Sequence, residues 1–179
     1  MNRLQKAAIV ADLTKRLRER GSWCGETHLQ KAVYFLQEML HVPTAFDFTL
    51  YRHGPFSFDL RDEITALRAD GVLALEPQPD PYGPKLVVTD GADRLERMFP
   101  KTLKKYKNDL EKVANTLSNK GVADLEKLAT ALYVTREELP NGSLRARAQR
   151  LCELKPHVSE DAAEESIIFV DRLLKRVAK

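Results

Sequence analysis

Four groups of residues in this chain have side chains that could do chemistry. In the stretch Tyr51-Arg-His-Gly-Pro-Phe-Ser-Phe-Asp-Leu60, His53 stands beside a Gly54-Pro55 pair and among aromatic rings. An imidazole can act as a general base, but that work needs a nucleophile, a carboxylate or a metal within hydrogen-bond reach. The neighbouring sequence supplies no carboxylate pair, no serine–histidine set and no glycine-rich phosphate loop, so no catalytic residue is assigned. His53 then braces a turn or meets a partner. Cys24 with His28, and Cys152 with His157, each offer two metal-capable groups, yet neither spacing is that of a zinc pair, and neither a metal nor a cofactor is expected. Cys24 beside Trp23 reads instead as a buried thiol. The last group is Lys101, Lys104, Lys105 and Lys107, in a stretch (residues 101–120) that holds six lysines and two acids. A helix of this kind suits the phosphates of DNA or RNA or an acidic protein, and equally a solvated face.

Totals narrow the field. The 179 residues suffice for one domain with a helical annex and a core that needs no staples. Two cysteines 128 positions apart, no apolar leader in Met1-Asn-Arg-Leu-Gln-Lys6 and no run of about 18 apolar residues lead us to expect a soluble, cytoplasmic protein without disulfides or a membrane contact. Residues 1–100 hold 13 Lys and Arg against 14 Asp and Glu, and the remainder 16 against 12, so the net charge of +3 sits in the back half.

These residues need elements to position them. Ile9, Leu13 and Leu17 form one stripe, which predicts an amphipathic helix over residues 3–19, stopped by Gly21. Thr27 and Gln30 have capping-box spacing, and Leu29, Ala32, Val33, Leu36 and Met39 continue a second, central helix to about Leu40. Residues 46–51 alternate as a half-buried strand; a third helix follows from about Asp59 to Asp70, closed by Gly71, with Leu60, Ile64 and Leu67 inward. Residues 72–75 and 85–89 predict a hairpin with a proline-rich tip. Thr89 is placed to cap a fourth helix, Pro100 to break it, and a stripe of Leu103, Tyr106, Leu110, Val113 and Leu117 to form a fifth or, if uncovered, the seam of a homodimer. Three more helices are expected over residues 122–134, 143–153 after Ser143, and 159–177.

The expected fold is therefore mainly α with a small β component. Residues 1–99 form a winged-helix-like core with a β-hairpin wing, and residues 100–179 an all-helical extension packed on it. In such a core the third helix would read DNA. Here residues 59–70 carry Asp59, Asp62, Glu63 and Asp70 against Arg61 and Arg68, a balance of −2 that phosphates repel. Within the quoted stretch, Gly54 permits backbone angles closed to other residues and Pro55 fixes its own, so the chain must turn there, with Ser57 or Asp59 as the cap of the next helix.

Two blocks of the sequence resemble a known group. Leu29, Gln30, Lys31, Tyr34 and Phe35 match an L-Q-K-x-x-Y-F helix, and Tyr51, Gly54, Pro55, Phe56 and Ser57 match an aromatic-x-x-G-P-[FY]-S turn. Both are hallmarks of the YwgA-like and Panacea (SocA-type) domains, and the C-terminal domain of DarG-type antitoxins is similar in its turn. The resemblance covers roughly residues 25–98, and LEKLATALYV and LKPHVSEDAAEESIIFVDRL are similar to the helical tail of YwgA-like proteins. It implies a non-enzymatic protein-interaction module of bacterial toxin–antitoxin or phage-defence loci that holds or neutralises a cognate protein. The partner-face candidates are then Leu29, Gln30, Lys31, Tyr34, Tyr51, His53, Gly54, Pro55, Phe56 and Ser57. A nucleic-acid-binding regulator using the helix of residues 101–120 is the alternative. The chain lacks an attached macrodomain, so ADP-ribose hydrolysis is not implied.

Overall fold

The computed structural model describes residues 1–177. The chain opens with α1 (Arg3–Glu19), where the Asn2 side chain accepts from the Gln5 N–H at 2.9 Å and Gln5 Oε1 accepts from the Asn2 N–H at 3.0 Å, a reciprocal cap. Next come α2 (Glu26–Glu38), a first hairpin of β1 (Thr49–Tyr51) and β2 (Gly54–Phe56), α3 (Phe58–Ala69), and a second hairpin of β3 (Leu73–Glu76) and β4 (Lys85–Val88). The remainder is helical: α4 (Asp90–Met98), α5 (Pro100–Leu117), α6 (Val122–Tyr133) extended by one π-helical turn (Val134–Glu138), α7 (Leu144–Leu154) and α8 (Glu160–Val177). The protein is mainly α with a small β component, as the sequence led us to expect. No helix among the described residues is long and apolar enough to cross a membrane.

The central helix is α2, in which Leu29, Val33, Phe35 and Leu36 are fully buried. Each such side chain stabilises the fold by about 1.5–3 kcal/mol relative to exposure. Helix α1 packs on α4, α5 and β4, while α2 is enclosed by α5, α6 and β2. A single apolar core therefore runs from Leu13 of α1 through Phe35, Leu60 and Leu110 to Leu132 of α6 and Ile167 of α8. Gly21, Gly54 and Gly71 all have positive φ, and Ser57, Ser143 and Ser159 cap the helices that follow them.

Tertiary pairing overrules local signals in several places. Helix α2 starts at Glu26 with Gly25 as its cap, so Thr27 lies inside the helix and caps nothing, and the Gln30 side chain is engaged elsewhere. The expected strand over residues 46–51 shortens to Thr49–Tyr51, because the Gln37 amide takes both backbone groups of Phe46, accepting its N–H at 2.9 Å and donating to its carbonyl at 3.0 Å. Thr89 holds the cap position of α4, but its hydroxyl donates to the Gly71 carbonyl. The α5 stripe is not a free seam: Leu110, Val113, Ala114 and Leu117 are buried, and Leu103 and Tyr106 pack on the core.

Candidate functional site

Of the ten residues quoted at the outset, Tyr51 to Phe56 make the end of the first strand, the turn and the second strand of a hairpin, and Ser57 onward starts α3. Thr49 pairs with Phe56, Leu50 with Pro55 and Tyr51 with Gly54, which leaves Arg52 and His53 as the turn and puts Gly54 at φ +83° just after it. Two strands of three residues cannot hold such a turn by themselves. Side chains from both sides of the hairpin do so.

From α2, the Gln30 amide lies along the Ser57 backbone as a neighbouring strand would: Nε2 donates to the Ser57 carbonyl at 2.9 Å, and Oε1 accepts the Ser57 N–H at 3.0 Å. One residue on, Lys31 Nζ donates to the Pro55 carbonyl at 2.8 Å. From the loop after α7, Lys155 Nζ donates to the Arg52 carbonyl and pairs with Glu126 Oε1 at 2.8 Å. Glu126 Oε2 lies 3.4 Å from His53 Nδ1, and the Thr130 hydroxyl closes over Gly54, where a Cβ would sit 3.0 Å from its oxygen. Carbonyls of the hairpin that face inward are thus satisfied by two ammonium groups, which removes the penalty of burying them unpaired.

The electrostatics follow from burial. Lys31 is 1 % exposed, and its pKa is lowered to about 8 by burial, against the pull of Glu126 and with a further push from Lys155. Burial pushes the Glu126 carboxyl up, but hydrogen bonds and charge from Lys155, together with His53, overcome this and hold it below the ordinary carboxylate range. Cys24 is buried and its thiol is pushed up to about 12, so it is a poor nucleophile or metal ligand at neutral pH. His28 is likewise buried, bonded to the Ser22 hydroxyl at 3.0 Å, and lowered to about 4 by burial. Both cysteines are free thiols, and no group of three or more His, Cys, Asp or Glu among the described residues is arranged to hold a metal ion.

The partner-face candidates therefore divide. Leu29, Gln30, Lys31, Tyr34, Gly54, Pro55 and Ser57 are buried: Gln30 and Lys31 fix the hairpin backbone at Ser57 and Pro55, while Leu29 and Tyr34 belong to the core. His53 is exposed at the tip, and Phe56 is half-buried. Tyr51, 53 % exposed, meets Phe56 at 6.0 Å and Phe58 at 5.8 Å between ring centroids. Phe56 and Phe58 meet edge to face at 5.1 Å, and the Arg61 guanidinium lies 5.1 Å from the Phe58 centroid. The outcome is a solvent-facing aromatic trio on a pinned support. Lys101, Lys104, Lys105 and Lys107 all lie exposed on the first two turns of α5.

Sequence reasoning took Phe58 only as packing, with Phe56, at the start of the third helix, and did not single out Glu126, Thr130 or Lys155. A signal existed for Glu126, which follows Val122 by four positions on a helix otherwise apolar on that side. Scanned against family models and against curated proteins, the chain gives no match.

Proposed function

We propose that this chain is a non-enzymatic, antitoxin-like or phage-defence-associated interaction module of the cytoplasm, and that Tyr51, Phe56 and Phe58 engage its cognate protein. The observation that supports this most directly is an exposed aromatic trio whose rings pack on one another over a hairpin pinned by buried side chains. Binding hot spots are enriched in aromatic anchors, and an anchor already held in place loses little conformational entropy on association. The L-Q-K and G-P-F-S blocks gain a physical sense in this reading: the first, inside the protein, holds the second so that its rings stay outside. Lys31, a side chain with basic capacity, is withheld beneath that support, and the Cys24 thiol is buried elsewhere, where the Cys24 carbonyl accepts from the Leu86 N–H of the second hairpin. Free thiols at Cys24 and Cys152 suit a reducing compartment.

The test is co-expression with each reading frame flanking the gene. Relief of a growth arrest caused by one of them, together with co-elution of the pair, is expected for the natural chain. Both should be lost in a Tyr51→Ser, Phe58→Ser double variant whose unfolding midpoint stays within about 4 °C of the parent. Relief by the double variant equal to the parent's would remove the trio from the partner face.

A second reading, a nucleic-acid-binding regulator, is favoured by one feature. Lys101, Lys104, Lys105 and Lys107 have no carboxylate partner among the described residues. Duplex affinity that falls steeply between about 50 and 200 mM salt, with a shallower slope when these lysines are replaced by glutamine, is its signature.

A further inference from the structure

At the opposite end of α3 from Phe58, about 15 Å along the helix axis, a cleft of about 370 Å³ opens between the β3–β4 hairpin, α3 and the starts of α2 and α6. Its size is that of a small-ligand site, and it lies where the N-terminal elements meet the helical tail. Trp23, Leu75 and Val122 line it at 38 %, 38 % and 55 % exposure, so large apolar side chains left in solvent gather around one concavity. The Trp23 ring is held by Tyr82, with centroids 5.1 Å apart, and by Lys85, whose Nζ is 4.4 Å from the ring centroid.

The polar part of the lining holds two cationic residues, Arg68 and Lys120, one acidic residue and the neutral Thr27, His28 and Thr65. Arg68 enters from α3 and has no carboxylate partner among the described residues. Lys120 borders the cleft from the α5–α6 turn, its ammonium 5.4 Å from the Phe169 centroid; Glu26 is the acidic residue of the lining. Helices α2 and α6 both begin here with glycine caps, Gly25 and Gly121, and no side chain takes up their first amide hydrogens. A helix start alone would mean little. In one concavity, however, an unpaired guanidinium and two sets of free amide hydrogens stand with a wall of tryptophan, leucine and valine, and that combination selects a ligand with two ends.

We propose that this cleft binds a small organic anion with an aromatic body and a phosphate or carboxylate head. The body lies against Trp23, Leu75 and Val122, and the head faces Arg68 and the helix starts. A bound ligand touches the β3–β4 hairpin, α3 and the α5–α6 turn together, and so ties the tail to the wing.

Trp23 is the single tryptophan of the chain, so its emission reports the cleft wall directly. The experiment titrates the full chain with phenyl phosphate, benzoate, inorganic phosphate and phenol, followed by tryptophan emission and calorimetry. A saturable change is expected with phenyl phosphate or benzoate at a Kd of about 1 mM or tighter, and the stronger of the two names the head group. Inorganic phosphate and phenol should each bind at least about tenfold more weakly, as should Arg68→Ala towards the better anion. Arg68 is exposed, which keeps that variant folded, and Val122→Glu, which sets a carboxylate in the cleft from another exposed position, should also abolish binding. Arg52→Ala, in the hairpin turn of the aromatic face, should leave binding unchanged. Absence of any saturable signal to about 10 mM, equal binding by Arg68→Ala, or a response only to an acidic peptide or an oligonucleotide overturns the proposal.

Discussion

Lys31 couples the inside of this protein to its exposed face, since its ammonium is what the Pro55 carbonyl has in place of water. Lys31→Met keeps the stem and removes the donor, leaving that carbonyl unpaired. We expect a loss of about 1–3 kcal/mol at pH 7, softened because the cost of burying a charge disappears with it. The pH dependence has a definite sign. Burial lowers the Lys31 pKa from its ordinary 10.5 to about 8, so between those values the folded chain has shed a proton that the unfolded chain keeps. Stability from this residue is therefore lowest, and flat, below about pH 8, and rises as pH climbs towards 10.5, by at most about 3 kcal/mol. Urea unfolding of the parent and of Lys31→Met at pH 7, 8.5 and 10 should show the parent's advantage widening. A narrowing advantage would mean that the ammonium is not desolvated as its burial implies.

At the scale of elements, glycines mark where backbones approach, and the approaches differ in severity. A Cβ on Gly91, in the first turn of α4, would sit 2.0 Å from the Gly71 carbonyl oxygen and 2.7 Å from its carbon, both backbone atoms that can yield only if α4 leaves the 71–72 turn. Gly91→Ala should cost about 3 kcal/mol or more. Gly54→Ala meets a positive φ and the Thr130 hydroxyl at 3.0 Å, and should cost about 1–3 kcal/mol while loosening the aromatic hairpin. Gly21→Ala, with positive φ but nothing within 4 Å, should cost about 1 kcal/mol. Thermal unfolding should rank them in that order, and a Gly91→Ala as mild as Gly21→Ala would contradict the packing of α4 described above. The stop at Gly21, the left-handed close at Gly71 and the caps at Ser143 and Ser159 were legible in the sequence, and the cap at Ser57 as one of two candidates with Asp59, because each involves neighbours within a few positions. The role of Gly91 was not, since the backbone it abuts lies twenty positions away in the chain.

For the molecule as a whole the same distinction separates what the sequence announces from what it hides. Apolar stripes announce the helices, because their period is local. The partners of Gln30, Lys31 and Lys155 lie 27, 24 and 103 positions away, and nothing local distinguishes these side chains from solvated ones. Gln30 and Lys31 could be picked out as a motif, but what they hold, and the part Glu126 and Lys155 play beside them, became visible only with the fold. These long pairings also bear on a division at residues 99 and 100. Helix α2 is enclosed by α5 and α6, the first hairpin rests on α6, and Lys155 reaches back to Arg52. A fragment of residues 1–99 would expose one side of its central helix and leave the Arg52 carbonyl and the His53 turn without their tail partners. The full chain should therefore unfold in one cooperative transition, with far-ultraviolet dichroism and Trp23 emission coincident, while the fragment shows a shallow, non-cooperative melt. Two separable transitions in the full chain, or a cooperative melt of the fragment, would make the tail an attachment; coincidence makes it half of the wall against which the aromatic hairpin is set.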